Sequence, residues 1–224
     1  MHLPRVEDSG TLYDTGQAVD LDQPPGDIIF LTSADTEVSL LSAAASRLAD
    51  EDGAPTIRIA NYLSLSHPFS VDNYLAATVA GAGLVVVRLL GGTGYWPYGV
   101  QQLRALADRN ALRIVFLAGD GKPDPELDYL SSVSPDRCHA LAAYLDAGGP
   151  DNAMAFLTAL RDLCDGTDLA PPSAPLLRAG IYWPGHRTPD LATLRSVWCD
   201  GAPVAAIVFY LSLIHISEPT RQAE

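Results

Sequence analysis

The sequence predicts an α/β fold, a doubly wound parallel sheet, from the alternation of short strand-like runs with segments of helical periodicity. The four runs are Ile28–Leu31, Thr56–Ala60, Leu84–Val87 and Ile114–Leu117. Strands that are largely apolar and alternate with helices pair in parallel and are covered on both faces. With right-handed crossovers we expect the strand order 2-1-3-4, as in flavodoxin-like or Rossmann-like sheets.

The segments between the strands carry helix signals. Thr32–Asp35 offers N-cap residues before an apolar stripe that begins at Val38. Ser70 is the predicted N-cap of a helix over Val71–Val79, and a further apolar stripe begins at Val100. These signals place a helix after each of the first three strands.

Composition shifts divide the chain into six parts. In order, they are an acidic flexible leader (1–25), the parallel α/β domain (26–122), a helical extension (123–165), a Pro-rich linker (166–178), the start of a second α/β domain (179–210) and a non-native tail (211–224). The second domain is predicted to contain strands Ala179–Tyr182 and Val204–Phe209 around a helix over Pro189–Val197. Because this unit stops before it could bury its own sheet, we expect the chain to be truncated.

Composition also excludes several function classes. The net charge is −13, from 14 basic and 27 acidic residues, which disfavours binding to nucleic acids and anionic membranes. Three widely spaced cysteines without a Cys-x-x-Cys motif support neither a disulfide framework nor a zinc site. No signal peptide or stretch long enough to span a membrane is recognised, so a cytoplasmic location is expected.

The glycine-rich loop after the third strand is the most informative candidate site. In open α/β sheets ligands bind at the carboxyl ends of the strands, and a helix start offers free N–H groups to an anion. The candidate substrate-binding residues are Gly91, Gly92, Gly94, Tyr95, Trp96, Tyr98 and His67, which follows the second strand. The alternative is a tight turn with its aromatic residues packed over the sheet edge, and a loop hydrogen-bonding role for His67.

Other motifs are absent or incomplete. The loop lacks the third glycine of a dinucleotide-binding motif, and Pro123 stands where a P-loop needs Ser or Thr after Lys122. A phosphoacceptor arrangement of Asp27 and Asp35 would need an aspartate at the end of the third strand, where Leu89 stands. The sequence therefore predicts no catalytic residue and no metal site.

Several unusual segments occur in the same order in the N-terminal region of aerobic cobaltochelatase large subunits, which this chain resembles. The segments are Gly26–Thr36, Leu65–Asp72, Arg88–Gly99, Gly148–Asn152, Gly180–Gly185 and Pro203–Tyr210. The family also includes the magnesium chelatase H subunit. The resemblance thus covers about residues 26–210.

The resemblance implies a part in inserting cobalt into hydrogenobyrinic acid a,c-diamide, a corrin, in aerobic cobalamin biosynthesis. It implies two smaller partner subunits, one an AAA+ ATPase, and a complex that uses ATP, magnesium and cobalt, although no cofactor is expected on this chain itself. The metal-insertion residues are expected beyond it. The alternatives are a magnesium chelatase H-type subunit, or a non-catalytic tetrapyrrole-binding or subunit-docking module. Because a corrin is flat and anionic, the glycine-rich loop is expected to contact its periphery.

Overall fold

The computed structural model describes residues 18–167, 180–183, 190–199 and 201–202. The chain divides into two compact units, Met1–Pro175 and Leu176–Glu224. The strand predicted at Val204–Phe209 and the tail predicted at 211–224 lie outside the described residues.

The first unit contains a four-stranded, fully parallel sheet in the order β2-β1-β3-β4. The predicted class and strand order are therefore confirmed. The strands are β1 (Ile28–Thr32), β2 (Ile57–Asn61), β3 (Leu84–Leu89) and β4 (Arg113–Ala118). Ile28 pairs with both Ile57 and Leu84, and Leu84 pairs with Arg113. This register brings the carboxyl ends of all four strands to one edge.

Helices connect and cover these strands. They are α1 (Asp35–Leu48), α2 (Pro68–Tyr74), α3 (Pro97–Arg109), α4 (Pro125–Leu130), α5 (Pro135–Ala147) and α6 (Gly149–Asp165). The chain also forms 3-10 turns at Tyr62–Leu65 and Thr93–Tyr95, and α2 continues into a π-helical turn at Leu75–Val79.

Two predicted helix starts differ from the structure. Ser70 does not cap α2: the helix begins at Pro68, and the N-cap is His67, whose ring accepts a hydrogen bond from the Phe69 N–H. The reason is that proline favours the first helical position, which moves the start two residues upstream. At α1 the N-cap is Ala34, whose methyl side chain cannot accept a hydrogen bond. The Thr32 hydroxyl instead accepts from the Ala34 N–H, just before the helix.

Apolar side chains alternate between the two faces of the sheet, as parallel strands covered on both sides require. Ile29, Val85 and Ile114 face the side covered by α2, α3 and α4. Phe30 and Val86 face the side covered by α1, α5 and α6. The predicted helical extension thus contributes α5 and α6 to the core of the sheet.

The last residues of the predicted leader are held against the sheet by Gln23. Its amide donates to the Ile59 carbonyl at 3.0 Å and accepts from the Tyr74 hydroxyl at 2.9 Å. Its backbone carbonyl accepts from the Thr78 hydroxyl at 2.7 Å. Burial raises the pKa of Tyr74 well above its usual value, so this hydroxyl remains a donor. Gln23 therefore occupies part of the open edge of β2, which would otherwise expose backbone groups for pairing.

The second unit contains α7 (Leu191–Ser196), within the helix predicted over Pro189–Val197. Its N-cap Asp190 accepts from the Thr193 N–H at 2.7 Å. The strand predicted at Ala179–Tyr182 is not formed in its described residues 180–182, and Trp183 makes only an isolated bridge. A strand needs repeated backbone pairing, which one bridge does not provide. No helix in the described residues of either unit is long and apolar enough to cross a membrane.

A buried cation stands at the carboxyl end of β3. Arg88 is 8% exposed, and its guanidinium donates to Glu37 on α1 and, at 2.7 Å, to Asp146 on α5. Glu37 also accepts from the Thr32 hydroxyl at 2.7 Å. This network ties two helices to the two central strands.

Arg88→Met should destabilise the fold by about 3 kcal/mol, because it leaves two carboxylates without their shared cation. The measurement is the free energy of unfolding from urea denaturation. Arg47→Met is the matched control, since Arg47 is exposed at the end of α1, and should change that free energy by less than about 0.5 kcal/mol. Equal effects of the two substitutions would contradict the role of Arg88.

At the opposite edge, hydrogen bonds from Thr56 lower the pKa of Asp27 below its ordinary value of 3.8. A carboxyl with a lowered folded pKa stabilises the fold above its unfolded pKa, and that contribution is lost as the pH falls through the folded value. Thr56→Val should therefore raise the Asp27 pKa in an NMR titration, whereas Thr56→Ser should not. The stability difference between wild type and Thr56→Val should shrink below about pH 4; a pH-independent difference would contradict this assignment.

Candidate functional site: the glycine loop at the carboxyl edge of the sheet

The glycine loop, residues 90–96, leaves β3 through two left-handed residues. Gly91 has φ +86° and Gly92 has φ +79°, a conformation that favours glycine. A Cβ atom on Gly91 would lie 2.3 Å from the Tyr95 ring, so the tyrosine folds back onto the glycine. A Cβ atom on Gly94 would meet nothing within 4 Å, which leaves the backbone open at the tip of the loop.

Trp96 anchors the end of the loop in the core. It is 4% exposed, and its ring stacks on Tyr62 with centroids 5.4 Å apart and an interplanar angle of 25°. The indole N–H donates to the Leu65 carbonyl at 2.9 Å. Gly99 leaves room for this ring, because a Cβ atom there would lie 2.1 Å from it. Trp96 is therefore buried rather than exposed at the surface of the loop, and it sets the position of the loop.

The other two aromatic residues are placed differently. Tyr95 is 63% exposed and presents its ring at the surface of the loop. Tyr98 is partly buried, and its hydroxyl donates to the Asp72 carboxylate at 3.0 Å. That hydrogen bond raises the pKa of Tyr98, because it stabilises the protonated phenol and a phenolate would lie beside the negative carboxylate. Of the three aromatic candidates, Tyr95 offers the free face.

His67 has a local structural role. Its Nδ1 atom accepts from the Phe69 N–H at 3.1 Å and caps α2. The Nδ1 lone pair is thus occupied, and Nε2 is the nitrogen left for other contacts. The arrangement matches the loop hydrogen-bonding role that was the alternative for this residue.

Further contacts join the glycine loop to the segment after β4. The Thr93 hydroxyl donates to Glu126 on α4 at 3.0 Å. A Cβ atom on Gly92 would lie 3.3 Å from the Asp124 carboxylate, so the two segments lie side by side. The loop is therefore held near Gly92 and Thr93 by the segment after β4 and at its end by the buried Trp96. Its tip, at Gly94 and Tyr95, lies between these two points.

Sequence reasoning missed several features of this edge. Phe69, near the start of α2, is 64% exposed, and Leu90, directly after β3, is 51% exposed. A cavity lies beside α5 at the end of β4, lined in part by His139. The one available signal was Arg88, a charged residue in an otherwise apolar strand, because a buried cation requires acidic partners.

Metal and thiol chemistry find no support in the described residues. No group of three or more His, Cys, Asp or Glu residues within them could hold a metal ion. Burial raises the pKa of both the Cys138 and Cys164 thiols, which disfavours the reactive thiolate form. The candidate site therefore consists of loop backbone and an exposed aromatic ring.

No family model matches the chain. The aerobic cobaltochelatase subunit CobN of Sinorhizobium sp. is 42% identical over 232 residues, covering 100% of this chain. The subunit of the same name from Pseudomonas aeruginosa is 39% identical over 212 residues, covering 94% of this chain. The chain is a homologue of CobN. It spans 18% and 17% of the lengths of these two relatives.

A solved structure agrees with this assignment. The catalytic subunit of cobaltochelatase from Mycobacterium tuberculosis superposes with a TM-score of 0.53 at 25% sequence identity. The superposition covers 72% of this chain and 12% of that one. The resemblance identified from the sequence motifs is therefore confirmed by both sequence and structural similarity.

Trp96→Ala should destabilise the fold by about 3–5 kcal/mol, as loss of a large buried aromatic does. Trp96→Phe should cost less, because it keeps an aromatic ring against Tyr62 and loses the hydrogen bond to Leu65. The measurement is thermal and urea denaturation of each variant. A Trp96→Ala chain as stable as wild type would contradict the anchoring role.

Proposed function

We propose that this chain forms part of the large, tetrapyrrole-binding subunit of an ATP-dependent cobaltochelatase. The substrate of the whole enzyme would be hydrogenobyrinic acid a,c-diamide, into which cobalt is inserted. The observation that carries the proposal is 42% identity to a CobN subunit across 100% of the chain. The relatives are cobaltochelatase subunits, which favours cobalt over the magnesium of an H-type subunit.

The part assigned to this segment is binding rather than catalysis. The tip of the glycine loop exposes backbone at Gly94 and an aromatic face at Tyr95. A flat tetrapyrrole offers a π-face to an aromatic ring, and its acidic arms suit a helix start such as that of α3. The proposed contact is therefore between the loop tip and the periphery of the corrin.

The whole enzyme would need partners that supply energy. In this proposal the large subunit works with two smaller subunits, one an AAA+ ATPase that uses ATP and magnesium, in the cytoplasm. Support comes from the relatives, which are named as subunits. Cobalt is a substrate in this scheme, and its insertion residues belong outside the present chain.

The test of this role uses the complete large subunit that carries the segment. Tyr95→Ala should raise the dissociation constant for the tetrapyrrole by about threefold to tenfold, since an aromatic contact contributes about 0.5–1.5 kcal/mol. The measurement is a fluorescence or absorbance titration with the corrin. Tyr129→Ala is the matched control, because Tyr129 is 86% exposed on α4 and should leave the affinity unchanged.

Two outcomes would contradict the proposal. If Tyr95→Ala and Tyr129→Ala bind the tetrapyrrole as tightly as wild type, the loop does not contact it. If the complete subunit, supplied with its partners, ATP and cobalt, inserts no cobalt into the corrin, the assigned activity itself is wrong.

A further inference from the structure

His67 presents an unused ring nitrogen at the carboxyl edge of the sheet, close to the glycine loop. Its Nδ1 atom accepts the Phe69 N–H at 3.1 Å. Its Nε2 atom makes no hydrogen bond within the described part of the chain, and yet it is not a buried atom. Since the histidine is half-buried and Nε2 reaches the surface, this nitrogen is open to a contact from outside the chain.

The contact with Phe69 also fixes which ring nitrogen carries the proton. A backbone N–H group can only donate a hydrogen bond, so Nδ1 must accept it with its lone pair. In the neutral ring the proton then lies on Nε2, which makes that atom a hydrogen-bond donor. Protonation of Nδ1 would break the cap of α2 and place a cation at a helix start. His67 is therefore held as a neutral donor that points away from its own cap.

Two hydrogen bonds place the segment around His67 next to the glycine loop. The Trp96 indole donates to the carbonyl of Leu65, just before His67, at 2.9 Å. The Tyr98 hydroxyl donates to the carboxylate of Asp72, on the helix that follows His67, at 3.0 Å. Because these two contacts bracket His67 in sequence and start from the end of the glycine loop, His67 and the loop share one stretch of the carboxyl edge.

Exposed aromatic rings accompany this donor. Phe69 is 64% exposed and Tyr95 is 63% exposed. Aromatic surface with a few directed polar groups is the usual composition of a small-molecule site. The donor on His67 requires an acceptor on the ligand, and carboxylate and amide oxygens both qualify. A tetrapyrrole with acid and amide arms offers both a flat face and such oxygens at its rim.

We propose that the Nε2–H group of His67 donates a hydrogen bond to an arm of the tetrapyrrole whose face meets Tyr95. The acceptor is an oxygen at the end of that arm. His67 thereby fixes the rotation of the ring within the site, which contact with a flat aromatic face alone does not do. This inference rests on the proposed function and adds a second contact to the same site.

The experiment uses the complete large subunit and an absorbance or fluorescence titration with hydrogenobyrinic acid a,c-diamide. His67→Ser keeps a preferred N-cap residue on α2, but its hydroxyl is too short to reach the position of Nε2. The dissociation constant should rise by about twofold to tenfold, as expected for one lost hydrogen bond, with the thermal unfolding midpoint unchanged. An affinity equal to wild type in His67→Ser would overturn the proposal.

Two further variants support this measurement. His139→Ser is the matched control, because it removes a half-exposed histidine on α5 that is already paired with Asp128. It should leave the affinity for the corrin unchanged, and an equal loss in both serine variants would overturn the assignment to His67. If His67→Ser fails to fold, His67→Asn repeats the test, since asparagine is also a preferred N-cap residue.

The tautomer gives a readout that does not depend on activity. A long-range proton–nitrogen NMR spectrum of the 224-residue chain near pH 8, where histidine is ordinarily neutral, should show the proton of His67 on Nε2. A proton on Nδ1 would overturn the proposal, because Nε2 would then accept rather than donate.

The remaining outcomes separate this inference from the proposed function. If Tyr95→Ala weakens binding of the corrin and His67→Ser does not, the loop contact stands and the inference about His67 is wrong. If the wild-type subunit binds no corrin, both are wrong. A corrin with fully amidated arms distinguishes the acceptors: a loss of affinity in His67→Ser for both corrins supports an amide oxygen, and a loss for the acid-armed corrin alone supports a carboxylate.

Discussion

The buried guanidinium of Arg88 constrains the whole carboxyl edge of the sheet. A cation that is 8% exposed is tolerated in a protein interior only with acidic partners at hydrogen-bond distance. Glu37 and Asp146 supply them from two different helices. α1 and α5 must therefore end up where their carboxylates reach the end of β3, which also fixes one wall of the cavity at Asp146.

A second constraint acts on the other face of the sheet. Trp96 fills the space above Tyr62, and Gly99 accommodates its ring. Because Trp96 closes the glycine loop, its burial fixes the point at which α3 begins and leaves Tyr95 outside. The loop is thus anchored on one face while the edge beside it is set by an ion network on the other.

Much of the fold was predictable because its signals are local. The apolar runs that became β1, β3 and β4 need only their neighbours in sequence to be recognised, and their alternation with helices gives the parallel order. The start of α2 was also encoded locally, in Pro68 after His67, but the serine at position 70 gave a competing cap signal. The structure resolves that competition by burying Ser70, whose hydroxyl accepts from the Val19 N–H at 2.7 Å.

The candidate site was predictable in place but not in detail. The glycine loop was recognised from its composition, whereas the direction of each aromatic ring depends on residues far away in sequence. Trp96 points inward because Leu65, 31 positions earlier, accepts its N–H. The partners of Arg88 are 51 and 58 positions away. Contacts between residues so far apart produce no pattern in the local sequence. The buried network and the cavity could therefore not be predicted from periodicity.

The edge that results places the glycine loop and the cavity at the end of β4 side by side. The tip of the glycine loop exposes backbone at Gly94 and an aromatic ring at Tyr95. The cavity near Asp124 is lined by acidic side chains, by the exposed Lys122 and by apolar residues. Asp124 lies beside Gly92 and also lines the cavity. The position of the glycine loop and the position of one cavity wall therefore depend on the same side chain.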